Sequence, residues 1–106
     1  MRVPMGYFDE NDVMERMRFV PVLEYLHPKY NVLEIGCANG SMTSIIAKKV
    51  NYVTAIEASE DEYFEAVEHN LLSNVDYINE RIENLEVNTF QYDLVFYLGV
   101  HFIFFF

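Results

Sequence analysis

The chain has 106 residues, enough for one small domain and too few for two. Hydrophobic residues make up 52% and charged residues 23%, a balance that suits a packed core and argues against disorder. Lys plus Arg number 7 against 17 Asp plus Glu, and the resulting net charge of −10 repels phosphate backbones, so nucleic acid is disfavoured as a partner.

The opening stretch, MRVPMGYFDENDVMERM, is charged where a signal peptide would be apolar. No run of roughly 18 apolar residues is present to span a membrane, and a cytoplasmic location is the expectation. Residues 1–30 read as an N-terminal helical segment: Val13, Met14, Met17, Val20, Leu23 and Leu26 recur at helical spacing, with a break or bend at Pro21 and an end at His27-Pro28-Lys29. Asn31 to Ile35 reads as a buried strand. Ser41 to Val50 reads as a helix with Met42, Ile45 and Ile46 on one face and lysines at its end, where the helix dipole favours cations. Tyr52 to Ile56 is a second strand, ending at Glu57. Ser59 then caps a helix running to about Leu72, with Glu62 placed to complete a capping box. Val75 to Ile78 is a third strand, Glu80 to Phe90 an acidic connection with room for one helical turn, and Tyr92 to Leu98 a fourth strand. Strands alternating with helices predict an α/β fold with a parallel sheet, buried on both faces.

The segment Glu34-Ile35-Gly36-Cys37-Ala38-Asn39-Gly40 lies between a strand and a helix, the context in which glycine loops hold ligands. Gly36 permits a sharp turn; Gly40 permits either close packing or close ligand approach. The amides of Asn39, Gly40 and Ser41 fall at the start of the next helix. Ala38 and Ser41 stand where a dinucleotide fingerprint needs its second and third glycines, which counts against NAD or FAD. No Gly-Lys-Ser/Thr follows, so a P-loop is excluded. A single cysteine excludes a disulfide framework and a cysteine-based zinc site, and no metal site is expected.

Glu34, Gly36 and Gly40 form a Glu-x-Gly-x-x-x-Gly pattern that resembles the first motif of class I S-adenosylmethionine-dependent methyltransferases. Glu57 follows Gly36 by 21 residues, at the family's spacing. The resemblance covers about Phe19 to Leu98. It implies a Rossmann-like three-layer α/β/α fold with strand order 3-2-1-4 and S-adenosyl-L-methionine as cofactor. The loop Gly36, Cys37, Ala38, Asn39 and Gly40 would pass under the methionine and ribose parts, Glu34 would orient the loop or meet the amino acid end, and Glu57, beside Ala58, would accept the two ribose hydroxyls. Where the family places an adenine-binding aspartate this chain has Arg81, which cannot accept a hydrogen bond. The candidates for that contact are Glu80, Glu83 and the Ile82 amide. Tyr92-Asp93-Leu94-Val95-Phe96 is similar to the family's fourth strand, with Asp93 read as structural. Leu98 at its end would edge the cofactor, and His101 is the general-base candidate, an ordinary loop histidine being the alternative.

The family's sheet has seven strands, and this chain reads as truncated before strands 5 to 7. Strand four is then an uncovered apolar edge, a route to self-association. The expected function is methyl transfer to a small-molecule acceptor. The alternatives are a non-catalytic cofactor-binding or interaction module and an enzyme resembling the ribosomal RNA adenine dimethyltransferases, whose motif after strand four is not matched by Leu98-Gly99-Val100-His101.

Overall fold

The computed structural model describes residues 23–88, 91–97 and 102–105. Most of the expected N-terminal helix, together with Leu98 and His101, lies outside the described residues. The elements run β1 (Asn31–Ile35), α1 (Ser41–Ala47), β2 (Tyr52–Glu57), α2 (Glu60–His69), β3 (Val75–Asn79), a 3-10 turn (Ile82–Asn84), β4 (Leu94–Tyr97) and β5 (Phe102–Phe105). They form one sheet in the order β3-β2-β1-β4-β5. The first four strands are parallel, with Leu33 opposite Thr54 on one side and opposite Val95 on the other.

Strand parity divides the core. Val32, Val53, Ala55, Val75, Tyr77 and Leu94 point to one face, where Ile46 and Ala47 of α1 and Ala66 of α2 cover them. Leu33, Ile35, Ile56 and Val95 point to the other, packed by Ile82, Leu85 and Val87 of the connection after β3 and by Tyr92 and Tyr97. Burial on both faces is why these strands are continuously apolar rather than alternating. Among the described residues, no helix is long and apolar enough to cross a membrane.

Four local expectations are corrected. Helix α1 stops at Ala47 rather than Val50, because Val50 turns into the core and Asn74 Nδ2 takes up the freed carbonyls of Ala47 (2.8 Å) and Val50 (3.4 Å). Helix α2 stops at His69 rather than Leu72: Asn70 leaves helical geometry, and Leu72 packs back against the core. The capping box is only half closed. Ser59 Oγ accepts from the Glu62 amide, but the Ser59 amide donates to Glu57 Oε2 at 2.9 Å, leaving Glu62 Oε2 buried without a partner. Finally, β4 is not an open edge. β5 pairs with it antiparallel, Leu94 opposite Phe105 and Tyr97 opposite Phe102, because the β-prone aromatic segment satisfies the ladder within the same chain. Self-association through β4 loses its premise.

Asp93 has the structural role expected of it: the Asn31 amide donates to Asp93 Oδ2 and the Asp93 amide to the Asn31 carbonyl, both at 2.8 Å, which fixes the register of β4 against β1. Asn74 does comparable work at the carboxyl end of α1. Asn74→Ala should therefore lower the unfolding free energy by about 1–2 kcal/mol, the cost of orphaning partly buried carbonyls, as measured by urea denaturation.

Candidate functional site

In an open parallel sheet, a crevice forms where successive connections leave a strand in opposite directions, beyond the carboxyl ends of the strands. Here that point lies between β1 and β4, and the chain leaving β1 there is the glycine loop.

Three of its five residues have positive φ: Gly36 at 82°, Ala38 at 52° and Gly40 at 79°. Left-handed backbone costs a residue with a Cβ on the order of 1–2 kcal/mol, so Ala38 is held there by something. The Ala38 amide donates to Glu57 Oε1 at 2.7 Å. The same carboxylate accepts the Ser59 amide through Oε2, so Glu57 ties the loop after β1 to the loop after β2. Next to this bridge, the Gly36 and Cys37 amides donate to the Ile56 carbonyl at 2.8 and 3.1 Å, and Asn79 Nδ2 donates to the carbonyls of Glu57 (2.9 Å) and Ala58 (3.3 Å).

Gly40 was open to two readings, and the geometry decides for packing. A Cβ at this position would come within 2.5 Å of the Tyr77 hydroxyl and 3.1 Å of Ala66 Cβ. The glycine thus lets the loop lie against α2 and β3. The amides at the start of α1 are largely committed as well: Gly40 donates to the Cys37 carbonyl and Ser41 to Asn39 Oδ1. The tight turn thus consumes the Gly40 and Ser41 donors.

Glu34 is fully buried under the loop. Thr43 Oγ1 of α1 donates to its Oε1 at 2.6 Å, and Oε2 has no partner. Burial, opposed by the Thr43 bond and reinforced by the nearby Glu57 charge, raises its pKa from 4.5 to about 7. Cys37 is also buried, and burial followed by the negative charge of Glu34 pushes its thiol well above the ordinary range, so it is not an activated nucleophile.

Of the residues expected to meet the adenine, Ile82 packs into the second core cluster and Glu83 is engaged by Arg81, whose Nη2 and Nε lie 2.7 and 3.1 Å from Glu83 Oε2. Arg81 lowers the pKa of Glu83, and Glu80, accepting from Asn84 Nδ2 and the Arg81 amide, is lowered too. The structure therefore brings Glu34, Cys37, Ala38, Asn39, Gly40, Glu57 and Ala58 together, while Glu80, Arg81 and Glu83 are bonded to one another, the last two exposed. Sequence reasoning missed Thr43, Asn70 and Tyr77. Asn70 had the signal of a polar residue closing a helical pattern; Thr43 and Tyr77 had none.

Residues 32–105 match the family of the methyltransferase domain. The chain belongs to that family. No curated protein sequence matches this methyltransferase domain. Its fold is that of solved methyltransferases. A phosphoethanolamine N-methyltransferase of Haemonchus contortus, in complex with phosphoethanolamine and S-adenosylhomocysteine, is similar at a TM-score of 0.71 and 21% identity over 83% of this chain and 20% of its own. An S-adenosylmethionine-dependent methyltransferase of Mesorhizobium loti is similar at 0.63 and 16% over 76% and 38%. The tRNA (m1A58) methyltransferase TrmI of Aquifex aeolicus is similar at 0.68 and 21% over 87% and 40%. The chain thus spans two fifths or less of the length of each of these proteins.

Two outcomes follow for the loop. Gly40→Ala should destabilise the domain by more than 1 kcal/mol, since it adds left-handed strain to a clash with Tyr77, whereas Ala38→Gly should leave stability level or raised because it removes such strain. Thermal unfolding of both variants checks this. The pH dependence of Glu34 has a definite sign. Because its pKa is higher folded than unfolded, the folded state binds the extra proton, and stability falls as pH rises from 4.5 to about 7. The full cost is about 3 kcal/mol. Glu34→Gln should lack this component, visible as a flatter stability profile than the wild type over that window.

Proposed function

We propose that this chain carries the S-adenosylmethionine site of a cytoplasmic methyltransferase acting on a small-molecule acceptor. The observation that carries the reading is the Glu57 carboxylate, fixed at the carboxyl end of β2 by the Ala38 and Ser59 amides. A carboxylate has about four acceptor positions, and two amides leave capacity for a pair of ribose hydroxyls. The unpartnered Oε2 of buried Glu34 adds a fixed acceptor under the same loop.

When bound, S-adenosylmethionine supplies an electrophilic methyl group. The residues of this chain bind and orient: Glu57 would hold the ribose, and the loop from Gly36 to Gly40, oriented from below by Glu34, would shape the floor. The Ile82 amide would meet the adenine, Leu98 would edge the cofactor near the methyl group, and His101 is proposed as the proton acceptor for the substrate. A net charge of −10 supports a small molecule over a nucleic acid as acceptor.

Glu57→Ala should weaken S-adenosylhomocysteine binding about tenfold to several hundredfold, as charge-assisted hydrogen bonds are lost, and Glu57→Gln by less, because its carbonyl still accepts. Both should lower the melting temperature, since Glu57 also holds Ala38 and Ser59. Isothermal titration of the three folded proteins is the test, and equal affinities would defeat the ribose assignment.

A further inference from the structure

We propose that Asn70, braced by Tyr77, is a positioning residue for the cofactor loop, and that it does so by fixing the orientation of the Asn39–Gly40 peptide. The proposal rests on the S-adenosylmethionine reading above and deepens it.

Asn70 Nδ2 donates to the Asn39 carbonyl at 2.8 Å, across 31 residues of sequence. The other side of the same peptide is held by the Gly40 amide donating to the Cys37 carbonyl at 3.0 Å. A peptide followed by glycine is the easiest kind to flip, because glycine accepts φ of either sign. Gly40 is in the left-handed region, so the backbone here has two accessible arrangements that exchange the places of a carbonyl and an N–H. Asn70 favours one of them: with its Nδ2 turned to the loop it donates, and the observed arrangement presents a carbonyl to that donor.

Asn70 is itself held in place. Its amide donates to the Ala66 carbonyl at 2.8 Å as the cap of α2, and its own carbonyl accepts from the Tyr77 hydroxyl at 2.9 Å. That hydroxyl is the group a Cβ on Gly40 would strike. Thus α2, β3 and the loop meet at one residue, and the orientation of the loop peptide is read off the end of α2. Neither residue need touch the cofactor; both act through the backbone of the loop that does.

The deciding variant is Asn70→Asp in the full chain. It keeps size and shape but offers no donor once ionised, and places a charge against the Asn39 carbonyl. Three measurements are made: circular dichroism for folding, amide exchange of Gly40 relative to Val53 in β2 without ligand, and calorimetric affinity for S-adenosylhomocysteine. The expected result is a folded protein with faster exchange at Gly40 and affinity weakened by about tenfold. A merely structural role would lower the melting temperature yet leave the affinity of the folded protein unchanged, and that result overturns the proposal. If Asn70→Asp does not fold, Tyr77→Phe decides, since it removes only the hydroxyl: about threefold weaker binding is expected, and wild-type affinity overturns the proposal. A wild-type chain that takes no S-adenosylhomocysteine overturns the cofactor reading and the proposal together. Wild-type binding matched by both variants overturns the proposal alone.

Discussion

The two amides that converge on the Glu57 carboxylate set the terms for everything around them. Ala38 sits in a backbone region that its Cβ disfavours, and the 2.7 Å bond from its amide to Glu57 is the interaction that holds it there. Release that bond and Ala38 loses the interaction that offsets its strain, while the Ile56 carbonyl and the Asn70 side chain still hold the loop on either side of it. The other oxygen of the carboxylate takes the Ser59 amide that Glu62 was placed to accept, while Ser59 itself still caps α2. One side chain thereby ties the loop to the start of the following helix.

Glu34 shows the cost of such a site. A carboxylate with no cationic partner, fully buried within the field of a second carboxylate, is unfavourable when charged, and the single Thr43 bond offsets only part of that. Ordinary packing would place an apolar residue there. Such departures from local rules concentrate at functional or strained sites in proteins generally, and this one falls near the end of β1, under the loop. Burial also raises the pKa of Cys37 and of Tyr77.

The sequence made the strands and their order legible, because parallel strands buried on both faces announce themselves as short apolar runs and the Glu34, Gly36, Gly40 and Glu57 spacing matched a known pattern. Its limits are physical. Ser41 to Val50 has helical composition throughout, but Asn74, distant in sequence, ends the helix early by accepting responsibility for the Ala47 carbonyl. The capping box at Ser59 is correct by local grammar and was overruled by a carboxylate two residues upstream. The aromatic run after residue 101 has the same composition whether it exposes β4 or covers it, and only the pairing distinguishes them. Gly40 signalled a close approach without saying to what.

The loops that built this site are tied together largely by asparagine. Nδ2 groups of Asn51, Asn70, Asn74, Asn79 and Asn84 each donate to an oxygen on another residue, and three of them reach the backbone of a different connection. The charge balance explains the choice. With 17 acidic side chains against 7 basic ones, the surface offers few cations to satisfy loop carbonyls, and a lysine would have to lay a long chain and a desolvated ammonium across each junction. An asparagine donates from a short, neutral side chain at small entropic cost. It leaves the acidic balance of the chain unchanged, so the loops are fixed in place without placing a cation against the Glu57 carboxylate.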